Sequence, residues 1–169
     1  MGKRSLHPIY VSLGNISTWR RNKPDAKQLI GYLPTIKSSN TTEKRSQAFK
    51  NIVREVFHKS LEIILEALTS LKNGIDLSIN GKTFWFFPKI SVIIADWPEA
   101  STFCLTYKST NSNFPCHFCL VKRDNLANIN LLEEDIIPRT HENMCKNFQL
   151  KLEKSVSIES VSNFFWRLP

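Results

Sequence analysis

The feature that most constrains this fold is a long apolar stripe in the middle of the chain. Between Glu43 and Lys72, Phe49, Ile52, Val53, Val56, Phe57, Leu61, Ile64, Leu65, Leu68 and Leu71 recur at three- and four-residue steps. That period marks one face of an α-helix, and such a face is stable only when buried against another layer. Asn40 followed by Glu43 fits a capping box at its start. Asn73-Gly74 supplies a stop, glycine taking the left-handed position. Lys44, Arg45, Lys50, Arg54 and Lys59 fall mostly off the stripe, so the predicted helix presents positive charge outward.

Strands are expected on both sides of this helix. Residues 9–16 (IYVSLGNI) and 28–33 (QLIGYL) are β-branched and partly alternating. The charged connection 18–27, with a turn at Pro24-Asp25, predicts an antiparallel hairpin. Residues 90–95 (ISVIIA) form a continuous apolar run, the pattern of a strand buried on both faces, and Asp96 stands at its end. Phe84-Trp85-Phe86-Phe87 is expected to pack into a core beside that strand, with base stacking as the rival reading. After Asp124 the chain turns acidic and apolar, then shows modest helical spacing over 140–154. The order predicts an α/β fold, one mixed sheet crossed by a long helix.

Length and charge narrow the class. A chain of 169 residues, 41% hydrophobic and 22% charged, has the make-up of a folded domain rather than a disordered segment. Its net charge of +8 is concentrated in residues 1–60, where twelve Lys/Arg meet only Asp25, Glu43 and Glu55. That imbalance suits a polyanion such as DNA, with a solvated basic face as the plain alternative. The longest apolar stretch, 84–97, is interrupted by Pro88, Lys89 and Asp96, which excludes a bilayer span there. The basic N-terminus lacks the apolar run of a secretory signal. A nuclear or cytoplasmic protein is expected, in which four cysteines serve metal binding or burial rather than disulfides.

Three groups of residues have the types that chemistry needs. A carboxylate closing a rigid strand, as Asp96 is predicted to do, suits a divalent cation; two-metal phosphoryl transfer requires several such carboxylates. Glu99 is a weaker second, and capping of the turn at Trp97-Pro98 is the alternative role for Asp96. Cys116 and Cys119 form a C-x-x-C, the spacing that grips one face of a tetrahedral Zn²⁺. His141 and Cys145 are spaced to complete the set; inert buried thiols and a redox dithiol are the other readings. Cys104 is expected in the core, His117 pointing outward, and His58 on a helix flank. Trp19, Arg20, Arg21 and Lys23 place an aromatic ring among cations in a turn, a nucleic-acid contact to which Lys44 and Arg45 on the helix would add.

Several of these segments, in fixed order, resemble one family. His7–Ile16 (HPIYVSLGNI), Arg20–Pro24 (RRNKP), Ile30–Thr35 (IGYLPT), Ile94–Glu99 (IADWPE), Pro115–Asp124 (PCHFCLVKRD), Arg139–Met144 (RTHENM) and Phe165–Pro169 (FWRLP) are similar to segments of the Plavaka-type transposases, CACTA-like DNA elements of fungi. The likeness runs over essentially the whole chain. It implies a partial RNase H-like core over 1–103 and the start of a cysteine-containing, mostly helical insertion over 104–169. It also implies Mg²⁺-dependent cutting and joining of transposon-end DNA. Asp96 matches the second acidic metal ligand, and Cys116 and Cys119 a zinc-type pair. The remaining carboxylates are implied before residue 1 and after Pro169, and the remaining zinc ligands in an Asp-x-x-His block downstream. A transposase fragment inactive alone is therefore expected, with a zinc-stabilised nucleic-acid-binding module as the alternative. No membrane and no small-molecule substrate are expected. An unpaired edge at residues 9–16 would favour self-association.

Overall fold

The computed structural model describes residues 7–168. In chain order it contains β1 (His7–Val11), α1 (Thr18–Arg21), β2 (Gln28–Leu33), α2 (Thr41–Arg45), α3 (Gln47–Ile64), α4 (Glu66–Ser70), β3 (Ile75–Ile79), β4 (Lys82–Phe86), α5 (Trp97–Cys104) and α6 (His141–Gln149). Short 3-10 turns punctuate the chain, among them Glu153–Val156 and Phe164–Arg167.

The predicted hairpin is present, with its first strand at His7–Val11 instead of 9–16. β1 pairs antiparallel with β2, and the register slips at Ile9/Tyr10, which leaves Ile30 as the extra residue of a β-bulge. The charged connection holds α1 and the Pro24–Ala26 turn, tied by a bidentate ion pair from Arg20 to Asp25 at 2.7 and 2.9 Å.

The long helix is present in three pieces. Asn40 caps α2 by accepting from the Glu43 amide at 2.8 Å, while the Glu43 carboxylate reaches back to Ser39 rather than Asn40. Ser46 then leaves helical geometry and caps α3, accepting from the Phe49 amide at 3.1 Å. Leu65 separates α3 from α4. Gly74 ends the run with φ +85°, as the sequence indicates.

The buried side of α3 is not the apolar stripe alone. Ile52 and Val53 are exposed, whereas His58 and Leu61 are buried and Arg54 is half-buried. Arg54, His58, Leu61 and Leu65 follow one another at steps of four, three and four, a second helical stripe that carries two polar members. Through it α3 joins the C-terminal part of the chain. Arg54 forms a largely buried ion pair with Glu159, and His58 bonds to Thr102 and Phe164. On its other side α3 lies against β2, where a Cβ on Gly31 would stand 3.1 Å from Ile64 Cδ1.

A single mixed sheet is not what forms. The described residues hold two separate two-stranded antiparallel sheets, β1-β2 and β3-β4. The second is a hairpin turned by Asn80 and Gly81, both at positive φ (51° and 76°), the backbone that an Asn-Gly turn favours. Residues 90–95, expected as a doubly buried strand, join no ladder. Val92 and Ile94 are 71% and 92% exposed. A continuous apolar run is buried on both faces only where strands flank it, and neither hairpin pairs with this one.

The core sits further on. Met144, Val156 and Ile158 pack together, with Leu120 and Trp166 against them. Arg139 ties the segments that wrap this core. Its guanidinium donates to the carbonyls of Cys116 (2.9 Å), Phe114 (2.9 Å) and Val156 (2.8 Å).

Candidate functional site

Asp96 lies at the N-cap of α5. Its Oδ1 accepts from the Glu99 amide at 2.8 Å, and Pro98 in the first turn supplies the fixed φ that starts the helix. The strand expected to present Asp96 is absent, so the carboxylate is held by helix capping. Oδ2 makes no hydrogen bond among the described residues.

The helix that Asp96 caps leads into the cysteine loop. Trp97, the next residue, lays its indole on the His117 ring with centroids 4.1 Å apart. His117 is buried, contrary to its expected outward direction, and Phe118 takes the outward position at 80% exposure. Thr106 Oγ1 lies 2.7 Å from His117 Nδ1, whereas Nε2 is buried without a partner. Burial pushes the His117 pKa down, and the nearby Arg139 guanidinium pushes it further.

Cys116 and Cys119 belong to a turn locked against residues 137–139. The Leu120 amide donates to Ile137 O and the Arg139 amide to Phe118 O, both at 2.8 Å. Within the turn, the Phe118 amide points at Cys116 Sγ at 3.4 Å. Burial raises the Cys119 pKa and proximity to Cys116 adds to this, while the Val121 amide favours the thiolate. Burial likewise raises the Cys104 thiol, with Arg139 opposing and Cys116 reinforcing the shift. Cys104 therefore shares the electrostatic surroundings of the C-x-x-C, which its sequence position did not reveal.

His141 and Cys145 lie on α6. His141 is exposed, and the Gln149 amide stands 3.5 Å from Cys145 Sγ. Among the described residues, no group of three or more His, Cys, Asp or Glu side chains is placed to hold one metal ion. All four cysteines are free thiols.

The predicted DNA contacts divide in two. Trp19, Lys23, Lys44 and Arg45 are exposed. Arg20 and Arg21 are engaged at home: Arg20 by Asp25, whose hydrogen bonds raise the guanidinium pKa, and Arg21 by Ile16 O at 3.2 Å.

Sequence reasoning missed His58. Its Nε2 donates to Thr102 O at 3.1 Å and its Nδ1 accepts from the Phe164 amide at 3.4 Å, the pattern of a neutral ring. Burial holds its pKa down to about 4. The four-three-four stripe of α3 was the available signal, obscured because two of its members are polar.

A family model described as Plavaka transposase matches residues 1–168, and the chain belongs to that family. No curated protein and no solved structure matches it. No helix among the described residues is long and apolar enough to cross a membrane.

Proposed function

We propose that this chain is a DNA-handling part of a transposase, with Asp96 as one acidic ligand of a Mg²⁺ site. The observation that carries this reading is the family match over residues 1–168. The net charge of +8 and the exposed Trp19, Lys23, Lys44 and Arg45 support DNA as the partner. On this reading the two hairpins and α3 belong to an RNase H-like core. The described residues do not fit a complete Mg²⁺ site, because no three His, Cys, Asp or Glu side chains among them converge where several carboxylates are needed. No metal-assisted step is assigned to them. Asp96 is kept in place by its cap bond and by the packing of Trp97 on His117.

The test is DNA binding by the purified chain across a salt series. Duplex DNA should be bound at low salt, and raising salt from about 50 to about 200 mM should weaken binding at least tenfold. Replacing Lys44 and Arg45 together by alanine should flatten that dependence. Absence of binding at low salt, or binding indifferent to salt, would overturn the reading.

The zinc-stabilised nucleic-acid-binding module is favoured by one observation, the Phe118 amide directed at Cys116 Sγ. Amide donors facing sulfur stabilise the thiolate that Zn²⁺ requires. Cys116 and Cys119 are soft donors that fit two of four positions. About one zinc per chain, lost in Cys116→Ser, would support this reading; metal-free protein with unchanged stability in that variant would count against it.

A further inference from the structure

We infer that one face of the β3-β4 hairpin is a stacking platform for unpaired bases of single-stranded DNA. This rests on the transposase reading and adds to it the form of DNA engaged. The aromatic run 84–87 was expected in a core, yet Trp85 is 65% and Phe87 52% exposed.

The two faces of the hairpin differ in chemistry. Residues directly opposite in an antiparallel pair share a face, and successive residues alternate. Ile75↔Phe86 and Leu77↔Phe84 therefore make one face apolar except at the turn, where Lys82 stands opposite Ile79. Asp76↔Trp85 and Ser78↔Thr83 make the other polar, except for its aromatic ring. The apolar face suits protein packing. An apolar partner on the Trp85 face would have to desolvate a carboxylate and two hydroxyls. A nucleobase offers both a π-face for the ring and polar edges for those groups.

Trp85 is also fixed in advance. A Cβ on Gly74 would stand 2.3 Å from Trp85 Nε1, so the indole lies directly on glycine backbone at φ +85°. The Phe87 ring is a neighbour, with centroids 4.6 Å apart and planes tilted by 49°, and Trp85 keeps most of its surface open to solvent. A ring held this way loses little freedom when it binds. Lys72 and Lys89 flank the hairpin and outnumber Asp76, while Lys82 lies opposite Ile79 on the apolar face; the flanking positive charge suits a phosphate backbone. A paired base inside a duplex keeps its π-faces covered, so the platform selects unpaired strands.

The experiment compares the full chain with Trp85→Ala and Trp85→Phe. Each is titrated into a labelled oligo-dT strand of about 15 nucleotides and, separately, into duplex DNA. Trp85→Ala should weaken single-strand binding about tenfold and change duplex binding less than about twofold, and Trp85→Phe should recover most of the loss. Circular dichroism and sedimentation of each variant accompany the titrations. Equal losses on both forms of DNA, or no loss on either, would overturn the platform while leaving the DNA reading intact. Wild-type protein that binds neither form would overturn both. A shift from dimer to monomer in Trp85→Ala without single-strand selectivity would assign the face to a second copy of the chain and overturn the inference.

Discussion

Residues 7–96 and 97–168 solve the problem of burial in opposite ways. Of the eight buried apolar side chains among the described residues, only Leu61 precedes Trp97. The first region has more regular hydrogen bonding, with both sheets and the longest helix, yet leaves Trp85, Val92 and Ile94 largely in solvent. The second has little regular structure but closes a core around Met144, Val156 and Ile158. Two-stranded sheets have no depth of their own, and a lone hairpin is marginal in water. A loop-rich segment can be firm where a polar hub satisfies its backbone, as Arg139 does here. Secondary structure and burial are thus separate quantities in this chain, and α3 is the bridge between the regions.

The sharpest test of that contrast is Arg139. Its guanidinium satisfies three carbonyls from three separate stretches, and its fork geometry has no substitute in lysine. Arg139→Ala should lower stability by about 4 kcal/mol in urea denaturation, and Arg139→Lys by nearly as much. A small loss in either would mean that the second region is not organised around this hub.

Next in size is the ion pair across the bridge. Glu159→Leu leaves the Arg54 guanidinium half-buried and unpaired, with an expected loss of about 3 kcal/mol. Burial raises the Glu159 pKa while Arg54 pulls it down, so the pair works against its own desolvation. Arg54→Met combined with Glu159→Leu should therefore recover most of the loss. If the single and double variants are equally unstable, the bridge depends on packing rather than on charge.

His58 tests the same bridge through pH. Its folded pKa is about 4 against 6.5 for the free side chain, so between these values the unfolded chain binds the extra proton. The contribution is complete above about pH 6.5 and is lost as pH falls toward 4, on the order of 3 kcal/mol in all. A His58→Gln variant should lose that part of the acid slope. An unchanged slope would show that His58 titrates freely and that α3 is less firmly docked than its contacts imply.

Local signals in the sequence were legible where the chain alone decides the outcome. β2 occupies residues 28–33 as read, Asn40 caps its helix, and Gly74 stops it. The Asn80-Gly81 hairpin is equally local, an Asn-Gly turn between two short strands. What could not be read depends on contacts between distant segments. Nothing in the composition of 90–95 says whether a strand lies beside it. Nothing in C-x-x-C spacing says that His117 turns inward to meet Trp97, which couples the Asp96 cap to the cysteine loop. Capping by Asp96 at Trp97-Pro98 was legible as one of two roles, and it is the one that forms; the strand expected to end at Asp96 is not formed.

The smallest expected effect bears on the least covered segment. Ile94 is 92% exposed, so Ile94→Lys removes almost no buried apolar surface and should change stability by less than about 0.5 kcal/mol. The same change places a charge within a β-branched apolar run, the kind of sequence that pairs with other chains when left open. Sedimentation should therefore show less self-association in Ile94→Lys than in the unaltered chain, at equal stability. A loss near 2 kcal/mol would break the contrast between the two regions, because a penalty of that size requires Ile94 to be covered. Residues 90–95 would then be a buried strand in solution, and the first region would have a core of its own.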